Sequence, residues 1–128
     1  MNETLVLLLV ALVLLQVKHF LFDFVFQTPY QLRNKGIYGH PGGLLHAGLH
    51  AFGSLPALFV LQGANTALLA GIVAAEFVVH YHVDWLKERV TRTHGWTSED
   101  AGFWFALGAD QLAHHLTYTA ILVVLATY

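Results

Sequence analysis

The chain has 128 residues, of which 56% are apolar and only 11% are charged, and its mean hydropathy is +0.57. A soluble domain carries about 25% charged residues, so this composition excludes an ordinary soluble protein and predicts an integral membrane protein with one domain, residues 1–128. The formal net charge is -2 without a basic tail or patch, which argues against nucleic acid as a partner. Because the chain contains no cysteine, disulfides and thiolate metal sites are excluded.

Four hydrophobic segments, taken in chain order, predict an all-α protein that forms an integral membrane four-helix bundle. The predicted helices cover about 4–27, 43–61, 65–90 and 98–126. The first follows "MNE", which has no positive charge, and no cleavage site comes after it, so we interpret it as a retained transmembrane helix. Pro29 ends this helix, and Pro56 predicts a kink or tilt in the second. The motif "TSED" predicts Thr97 or Ser98 as the N-cap of the fourth.

Lys and Arg residues are confined to two connections, apart from Lys18 inside the first segment. They lie in 28–42 and 86–102, whereas the N-terminus, the C-terminus and the short turn at 62–65 contain none. Because positive charge concentrates on the cytoplasmic side, both long connections are predicted inside and both termini outside. The short turn also predicts that the second and third helices are antiparallel neighbours.

Each predicted helix carries one pair of polar residues four positions apart, which places both side chains on one helix face. The pairs are His19 and Asp23, His46 and His50, His80 and Asp84, and Asp110 and His114. Two of the pairs lie near the ends of the odd helices and two near the starts of the even helices. With the predicted orientation, all four fall in the cytoplasmic half of the bundle, within roughly 15 Å of its boundary.

These eight residues are candidate ligands for a divalent metal ion. A charged side chain inside a bilayer is costly unless it is paired or ligated. Imidazole and carboxylate together suit zinc, iron or manganese, so we expect one or two divalent ions, with zinc as the first choice. A single His–Asp pair is more often a local hydrogen-bonded pair, and the same eight residues also fit a proton relay or ion pathway.

Three carboxylates are candidate catalytic groups. Glu76 lies four residues before His80 on the same face and is either a general base or proton carrier, or a protonated, hydrogen-bonded carboxyl. Asp84 or Asp110, whichever does not bind metal, is a second candidate for moving protons. The off-face residue His115 is a weaker candidate ligand.

Four further residues are candidates for binding substrate. Gln27 continues the His19–Asp23 face, and Arg33, Lys35 and Lys87 are placed to meet an anionic group. Arg33 and Lys35 are explained equally well as topology determinants, and Lys87 as a side chain that extends to the membrane surface.

Four blocks of the sequence resemble the signature blocks of domain-of-unknown-function family 3307. They are "KHFLFDFVFQTPYQLRNKG", "LLHAGLHA", "HYHVDWLK" and "ADQLAHHL". The resemblance covers nearly the whole chain and implies a small multi-pass protein of the bacterial inner membrane, without implying an activity. A looser similarity of pattern links the His/Asp helices to membrane-bound metal-dependent hydrolases.

The leading hypothesis is a membrane-embedded metal-dependent hydrolase that acts on a lipid or other amphiphilic substrate at the cytoplasmic leaflet. The first alternative is a transporter or channel for a divalent metal or a proton. It requires a polar path through the outer half of the bundle, which is almost purely apolar beyond Gln16 and Glu76. The second alternative is a structural module in which the metal only holds the helices together. Membrane lipid is the expected partner, and the sequence leaves open whether the protein forms a homo-oligomer.

Overall fold

The computed structural model describes residues 2–61 and 64–128, and all regular structure in that part of the chain is helical. The first helix, α1, spans Glu3–Phe20 and continues as a π-helical turn over Leu21–Val25. The others are α2 Pro29–Asn34, α3 Pro41–Gly53, α4 Leu55–Val60, α5 Thr66–His94 and α6 Ala101–Thr127. The all-α prediction is confirmed.

Within the described residues, three helical segments are long and apolar enough to cross a membrane. They are Glu3–Val25, Pro41–Val60 and Thr66–His94. These three segments support the prediction of a membrane protein. Helix α6 has sufficient length, at 27 residues, but it is not among the three, because Asp110, Gln111 and two adjacent histidines lower its hydropathy.

The surface and the interior have the polarity expected of a protein in lipid. Large apolar side chains are exposed on every long helix, with Phe52 at 67% and Phe105 at 76% exposed. Among the described residues, buried polar or charged side chains outnumber buried apolar ones. A soluble protein rarely exposes contiguous apolar surface on this scale, so the outer faces are suited to contact acyl chains.

The connection after the first helix contains a helix that the sequence interpretation did not include. The first helix ends at Val25, two residues before the predicted end, and α2 begins at Pro29. Thr28 caps α2: its backbone N–H donates to Gln31 Oε1 at 2.8 Å, and Gln31 N–H donates to Thr28 Oγ1 at 3.3 Å. This reciprocal capping box, with proline at the first helical position, explains why helix resumes after Pro29.

The second predicted helix is interrupted, as Pro56 suggested. Helix α3 ends at Gly53 and α4 begins at Leu55, with Ser54 between them. Pro56 lies in the first turn of α4, where its missing N–H has no helical partner to lose. A Cβ atom at Gly53 would collide with the Phe22 ring, so glycine here allows close approach to the π-helical turn.

The remaining helix ends differ from the prediction by a few residues. Helix α5 continues four residues past the predicted end, to His94, and stops at Gly95, whose φ of 65° is left-handed. The N-cap of α6 is Asp100, so the prediction of Thr97 or Ser98 is wrong. The Asp100 carboxylate instead accepts the N–H of Thr97 at 2.8 Å. Two residues of the predicted turn, Gln62 and Gly63, lie outside the described residues.

Each long helix contacts at least two other helices. Helix α1 contacts α4 and α6, α5 contacts α3 and α6, and α2 lies on α3. An apolar core occupies one end of this packing and comprises Ala11, Leu15, Ala57, Leu58, Ile72, Tyr118 and Ile121. The polar pairs occupy the other end, because they lie late in α1 and α5 and early in α3 and α6.

Candidate functional site

Side chains from all four predicted pairs meet in one buried cluster. Asp23 comes from the π-helical turn, and its Oδ1 lies 3.1 Å from Nε2 of His46 and 3.1 Å from Nε2 of His50, both on α3. The Asp23 side chain is only 7% exposed, and both histidines are buried. The sequence prediction that the pairs lie together is therefore met by the geometry.

Asp84 on α5 is at the centre of the cluster. Its Oδ2 lies 3.0 Å from His46 Nε2, and its Oδ1 lies 3.2 Å from His114 Nε2. His80 lies one turn earlier on the same helix, and its Nε2 is 3.7 Å from Asp84 Oδ2. One carboxylate thus joins imidazoles from α3, α5 and α6.

The cluster contains two groups of side chains that can hold a metal ion. The first consists of Asp23, His46, His50 and His80, and the second of His80, Asp84 and His114. Within each group, one ligand atom per residue lies within 4.8 Å of all the others. Ligands of a tetrahedral zinc with bonds of 2.0–2.1 Å are about 3.3 Å apart, close to several distances above. His80 belongs to both groups.

Several atoms of the cluster are buried without a hydrogen-bond partner. Among the described residues, this holds for Nε2 of His50, Nε2 of His80 and Oδ1 of Asp23. His50 Nε2 and Asp23 Oδ1 are only 3.1 Å apart, yet their relative orientation does not suit a hydrogen bond. A buried, unsatisfied polar atom costs about 1–3 kcal/mol. Because these atoms are close together and lack hydrogen-bond partners among the described residues, a bound cation could satisfy them.

The charge of the buried region also fits a cation. Its carboxylates are Asp23, Glu76, Asp84 and Asp110, and its ammonium groups are Lys18 and Lys35. With neutral histidines, four negative charges face two positive charges. The excess equals the charge of one divalent ion, and such an excess is costly to bury without compensation.

His19 lies beside the two groups and outside both of them. The Lys18 ammonium can only donate, so the Tyr118 hydroxyl accepts from it at 3.0 Å and gives its own hydrogen to His19 Nδ1, also at 3.0 Å. The His19 proton is then on Nε2, which lies 2.9 Å from Gln111 Oε1 and 3.2 Å from Asp23 Oδ2. Both ring nitrogens are occupied, and His19 orients Asp23.

Asp110 has a similar position on the other side. Its Oδ1 lies 3.5 Å from His114 Nε2, and its Oδ2 accepts from Gln111 Nε2 at 3.1 Å. Asp110 belongs to neither of the two groups. Its Oδ1 is buried and has no hydrogen-bond partner among the described residues.

Glu76 lies one turn deeper than His80, next to the apolar core. Its Oε1 accepts from Lys18 Nζ at 2.7 Å and from Ser54 Oγ at 2.8 Å. Lys18 completes its three donor bonds with Tyr118 and the His50 carbonyl. Glu76 therefore connects to the cluster through an ion pair, and its role as a proton carrier stays a prediction.

Two of the four candidate substrate residues, Gln27 and Lys35, contact the cluster. Lys35 Nζ lies 3.3 Å from Asp84 Oδ2, and Gln27 Nε2 lies 3.3 Å from the His46 ring nitrogens. Burial lowers the pKa of Lys35, but the Asp84 and Asp23 carboxylates outweigh it and raise this pKa above the ordinary lysine value. Lys35 is therefore an ammonium ion at neutral pH.

A cavity of about 360 Å³ opens beside the cluster. Its polar lining comes from Asp23, Gln27, Lys35, Lys87, Asp110 and Gln111. The fourth candidate substrate residue, Arg33, is exposed on α2, and its carbonyl accepts from Arg92 at 2.7 Å. The structure thus brings Gln27, Lys35 and Lys87 to the cavity and leaves Arg33 outside.

The sequence analysis did not identify three residues that form hydrogen bonds to the polar residues of the buried region: Ser54, Gln111 and Tyr118. Tyr118 follows His114 by four positions, and Ser54 follows His50 by four, so both continue a polar helix face that had been recognised. The spacing of four residues thus extends beyond the predicted pairs, and the sequence analysis did not follow it further. Gln111, next to Asp110, contacts His19, Asp23 and Asp110, and the sequence analysis did not name it as a candidate.

The other histidines lie outside the two metal-binding groups. His82 is exposed and pairs with the Tyr38 hydroxyl at 3.2 Å. His40 caps α3 through Nδ1, which accepts the Gly42 N–H at 3.0 Å, and His94 is exposed at the end of α5. His115 is half-buried against the outer side of His19.

Comparison with known proteins identifies a family and leaves the activity open. No curated protein and no solved structure matches the chain. A family described as "Protein of unknown function (DUF3307)" matches residues 9–128, nearly the whole sequence, including every residue of the cluster. The chain belongs to the DUF3307 family of proteins of unknown function.

Proposed function

We propose that this protein is a membrane-embedded, metal-dependent hydrolase that acts on a lipid or other amphiphilic substrate at the cytoplasmic leaflet. The observation that carries the proposal is the set of buried ligand atoms, next to a polar cavity, that have no hydrogen-bond partner in the described part of the chain. Zinc is the first candidate for the ion. With neutral histidines, the buried region has an excess of two negative charges, which favours one divalent cation. Because His80 belongs to both groups, the two candidate positions of the ion overlap.

Each residue around the cavity has a role in this proposal. The residues of the two groups, Asp23, His46, His50, His80, Asp84 and His114, would hold the ion, which would polarise the scissile group and lower the pKa of water. Asp110 lines the cavity, and its buried Oδ1 has no hydrogen-bond partner among the described residues, so we assign it the role of accepting a proton from the attacking water. Lys35 and Lys87 line the same cavity and neutralise an anionic substrate.

The test of the proposed activity is hydrolysis by purified protein in lipid nanodiscs. Products released from labelled phospholipids and lipid-linked esters or amides are measured with metal-loaded and chelator-treated protein. We expect hydrolysis that chelation abolishes and zinc restores. Asp110→Asn should reduce turnover roughly 100-fold or more while leaving the metal content unchanged, since it removes a proton acceptor and keeps the shape.

Asp100→Asn is the matched control, because Asp100 is an exposed carboxylate at the start of the same helix. It should retain full turnover. An Asp110→Asn protein as active as the wild type would remove Asp110 from the mechanism. Metal-loaded protein that cleaves none of the substrates but conducts ions in proteoliposomes would favour the transport alternative.

The transport alternative has one observation in its favour. A hydrogen-bonded chain runs from His19 through Tyr118 and Lys18 to Glu76 and Ser54, away from the cavity. Beyond it lies the apolar core, in which Leu15 and Leu58 are almost fully buried. A path for ions requires this core to open, so the hydrolase is the better-supported proposal.

We also propose that α6 is a fourth span, with both termini outside the bacterial inner membrane. Its polar residues face the cluster, while Phe105, Leu112, Leu116 and Val123 are exposed. The chain has no cysteine, so single cysteines can be introduced without background labelling. In intact cells, an impermeant maleimide should label Tyr128→Cys and Ala64→Cys and should not label Ile37→Cys or Glu99→Cys. Equal labelling of Glu99→Cys and Tyr128→Cys would contradict a span between them.

A further inference from the structure

The polar cavity beside the cluster adjoins an apolar groove between α5 and α6. The groove has a volume of about 280 Å³ and shares two lining residues, Lys87 and Asp110, with the cavity. Its remaining lining is apolar and comprises Val83, Leu86, Val90, Ala106, Ala109 and Ala113. The polar cavity and the apolar groove therefore meet at Lys87 and Asp110.

The groove is open because the α6 wall is built from alanine. Ala106, Ala109 and Ala113 end at Cβ, whereas Leu86 and Val90 form the opposite wall on α5. Leucine at any of the three alanines would fill part of the space. The groove lies on the outer face of the protein, so in a membrane it is open to acyl chains from the side.

Lys87 stands at the boundary between the two parts. Its Nζ donates to Glu88 Oε1 at 2.8 Å and lies 5.7 Å from the centre of the Phe103 ring. An ammonium group has three donors, so at least one stays available to a ligand in the cavity. Lys35, on the far wall of the cavity, uses one donor on Asp84 Oδ2. Two ammonium groups thus border the polar part.

We propose that the cavity and the adjoining groove bind a phosphate-bearing acyl lipid, with the phosphate between Lys35 and Lys87 and one acyl chain in the α5/α6 groove. The proposal rests on the proposed function in that it places the phosphate beside the metal-binding groups. The contacts of Lys87 and of the acyl chain are separate from the metal-binding residues, whereas Lys35 also contacts Asp84. Apolar surface and paired cationic donors together select an anionic amphiphile over a free anion or a neutral lipid.

Lipid binding can be measured directly, without turnover. Native mass spectrometry of the detergent-solubilised protein is used to titrate lysophosphatidic acid, glycerol 3-phosphate and monoacylglycerol. We expect lysophosphatidic acid to bind most tightly, because only it combines the phosphate with the chain. Ala109→Leu should weaken its binding roughly tenfold, about the loss of two buried methylene contacts. Lys87→Gln should weaken the binding of lysophosphatidic acid more than the binding of monoacylglycerol.

Ala120→Leu is the matched control. Ala120 is also exposed on α6 and lines a different α5/α6 groove of about 270 Å³, nearer the other end of the helix. The Ala120→Leu substitution should leave the binding of lysophosphatidic acid unchanged. If Ala109→Leu does not fold, Ala106→Leu fills the same groove one turn away.

The outcomes separate this proposal from the metal-dependent activity, because metal content is measured on the same samples. Loss of lipid binding in Ala109→Leu with unchanged metal content supports the groove. Equal weakening by Ala109→Leu and Ala120→Leu overturns it, as does equal affinity for glycerol 3-phosphate and lysophosphatidic acid. Lipid binding by protein that takes up no metal even when zinc is supplied supports the groove and contradicts the metal-dependent hydrolase.

Discussion

Replacement of Asp84 by alanine is expected to remove the bound divalent ion. The Asp84 carboxylate lies within 3.7 Å of Nε2 atoms of His46, His80 and His114, so it joins three helices at one point. Loss of a residue that only orients a ligand lowers metal affinity roughly 10–100-fold, and loss of a ligand should exceed that range. Elemental analysis of protein purified by gel filtration measures the effect.

The same substitution should also destabilise the fold. It leaves the buried Lys35 ammonium without the carboxylate that lies 3.3 Å away, and an uncompensated buried charge costs roughly 3–5 kcal/mol. Thermal unfolding in detergent, with and without a chelator, separates the two effects. Chelation should lower the unfolding temperature of the wild type and leave that of Asp84→Ala unchanged.

His82→Ala is the control for both measurements. His82 lies two residues before Asp84 on α5, but it is exposed and bonded to Tyr38 outside the cluster. Its metal content and stability should equal those of the wild type. An Asp84→Ala protein that retains one ion per chain would remove Asp84 from the ligands and place the ion among Asp23, His46, His50 and His80. Wild-type protein that holds no stoichiometric ion would show that the cluster is a hydrogen-bonded network, and the proton-relay alternative would replace the metal site.

The meeting of the four polar pairs could be predicted because it depends on two simple periodicities. Spacing of four residues puts His46 and His50 on one helix face, and alternation of helix direction puts the end of α1 beside the start of α3. Both rules act on local sequence. The roles inside the cluster depend on distant contacts, and Lys18 meets Tyr118 across 100 positions of the chain. That contact decides which His19 nitrogen carries the proton, and nothing in the "KHFLFD" stretch indicates it.

The approach of Lys35 to Asp84 was also beyond the sequence interpretation. The prediction placed Lys35 in a loop, at the membrane surface or near a substrate. A capping box between Thr28 and Gln31 folds the loop into α2 instead, and Lys35 follows that helix directly. The motif was readable as a helix start, but Pro29 was interpreted only as a helix end. Proline serves both purposes, since it ends one helix and fits the first turn of the next.

Replacement of Glu76 by alanine is expected to destabilise the protein by roughly 3–5 kcal/mol, although Glu76 lies outside both metal-binding groups. The substitution leaves the Lys18 ammonium buried without its carboxylate, which is 2.7 Å away. The Tyr118 hydroxyl and the His50 carbonyl remain as acceptors, but neither carries charge. Equilibrium unfolding in mixed micelles measures the change. A loss below about 1 kcal/mol would mean that the pair contributes little.

The double substitution Lys18→Met with Glu76→Leu distinguishes a structural ion pair from a proton carrier. Replacing both members of a buried pair by apolar residues of similar volume is often neutral or stabilising, so the double variant should recover most of the stability lost in Glu76→Ala. Tyr118 keeps His19 as its acceptor, so the metal-binding groups keep their geometry and their ion. Lipid hydrolysis then decides the role. Recovery of turnover together with stability means that the pair only holds α1 against α5. Stability and metal content that return without turnover assign proton transfer to the Glu76–Lys18 pair, as the position of Glu76 on the His80 face first indicated.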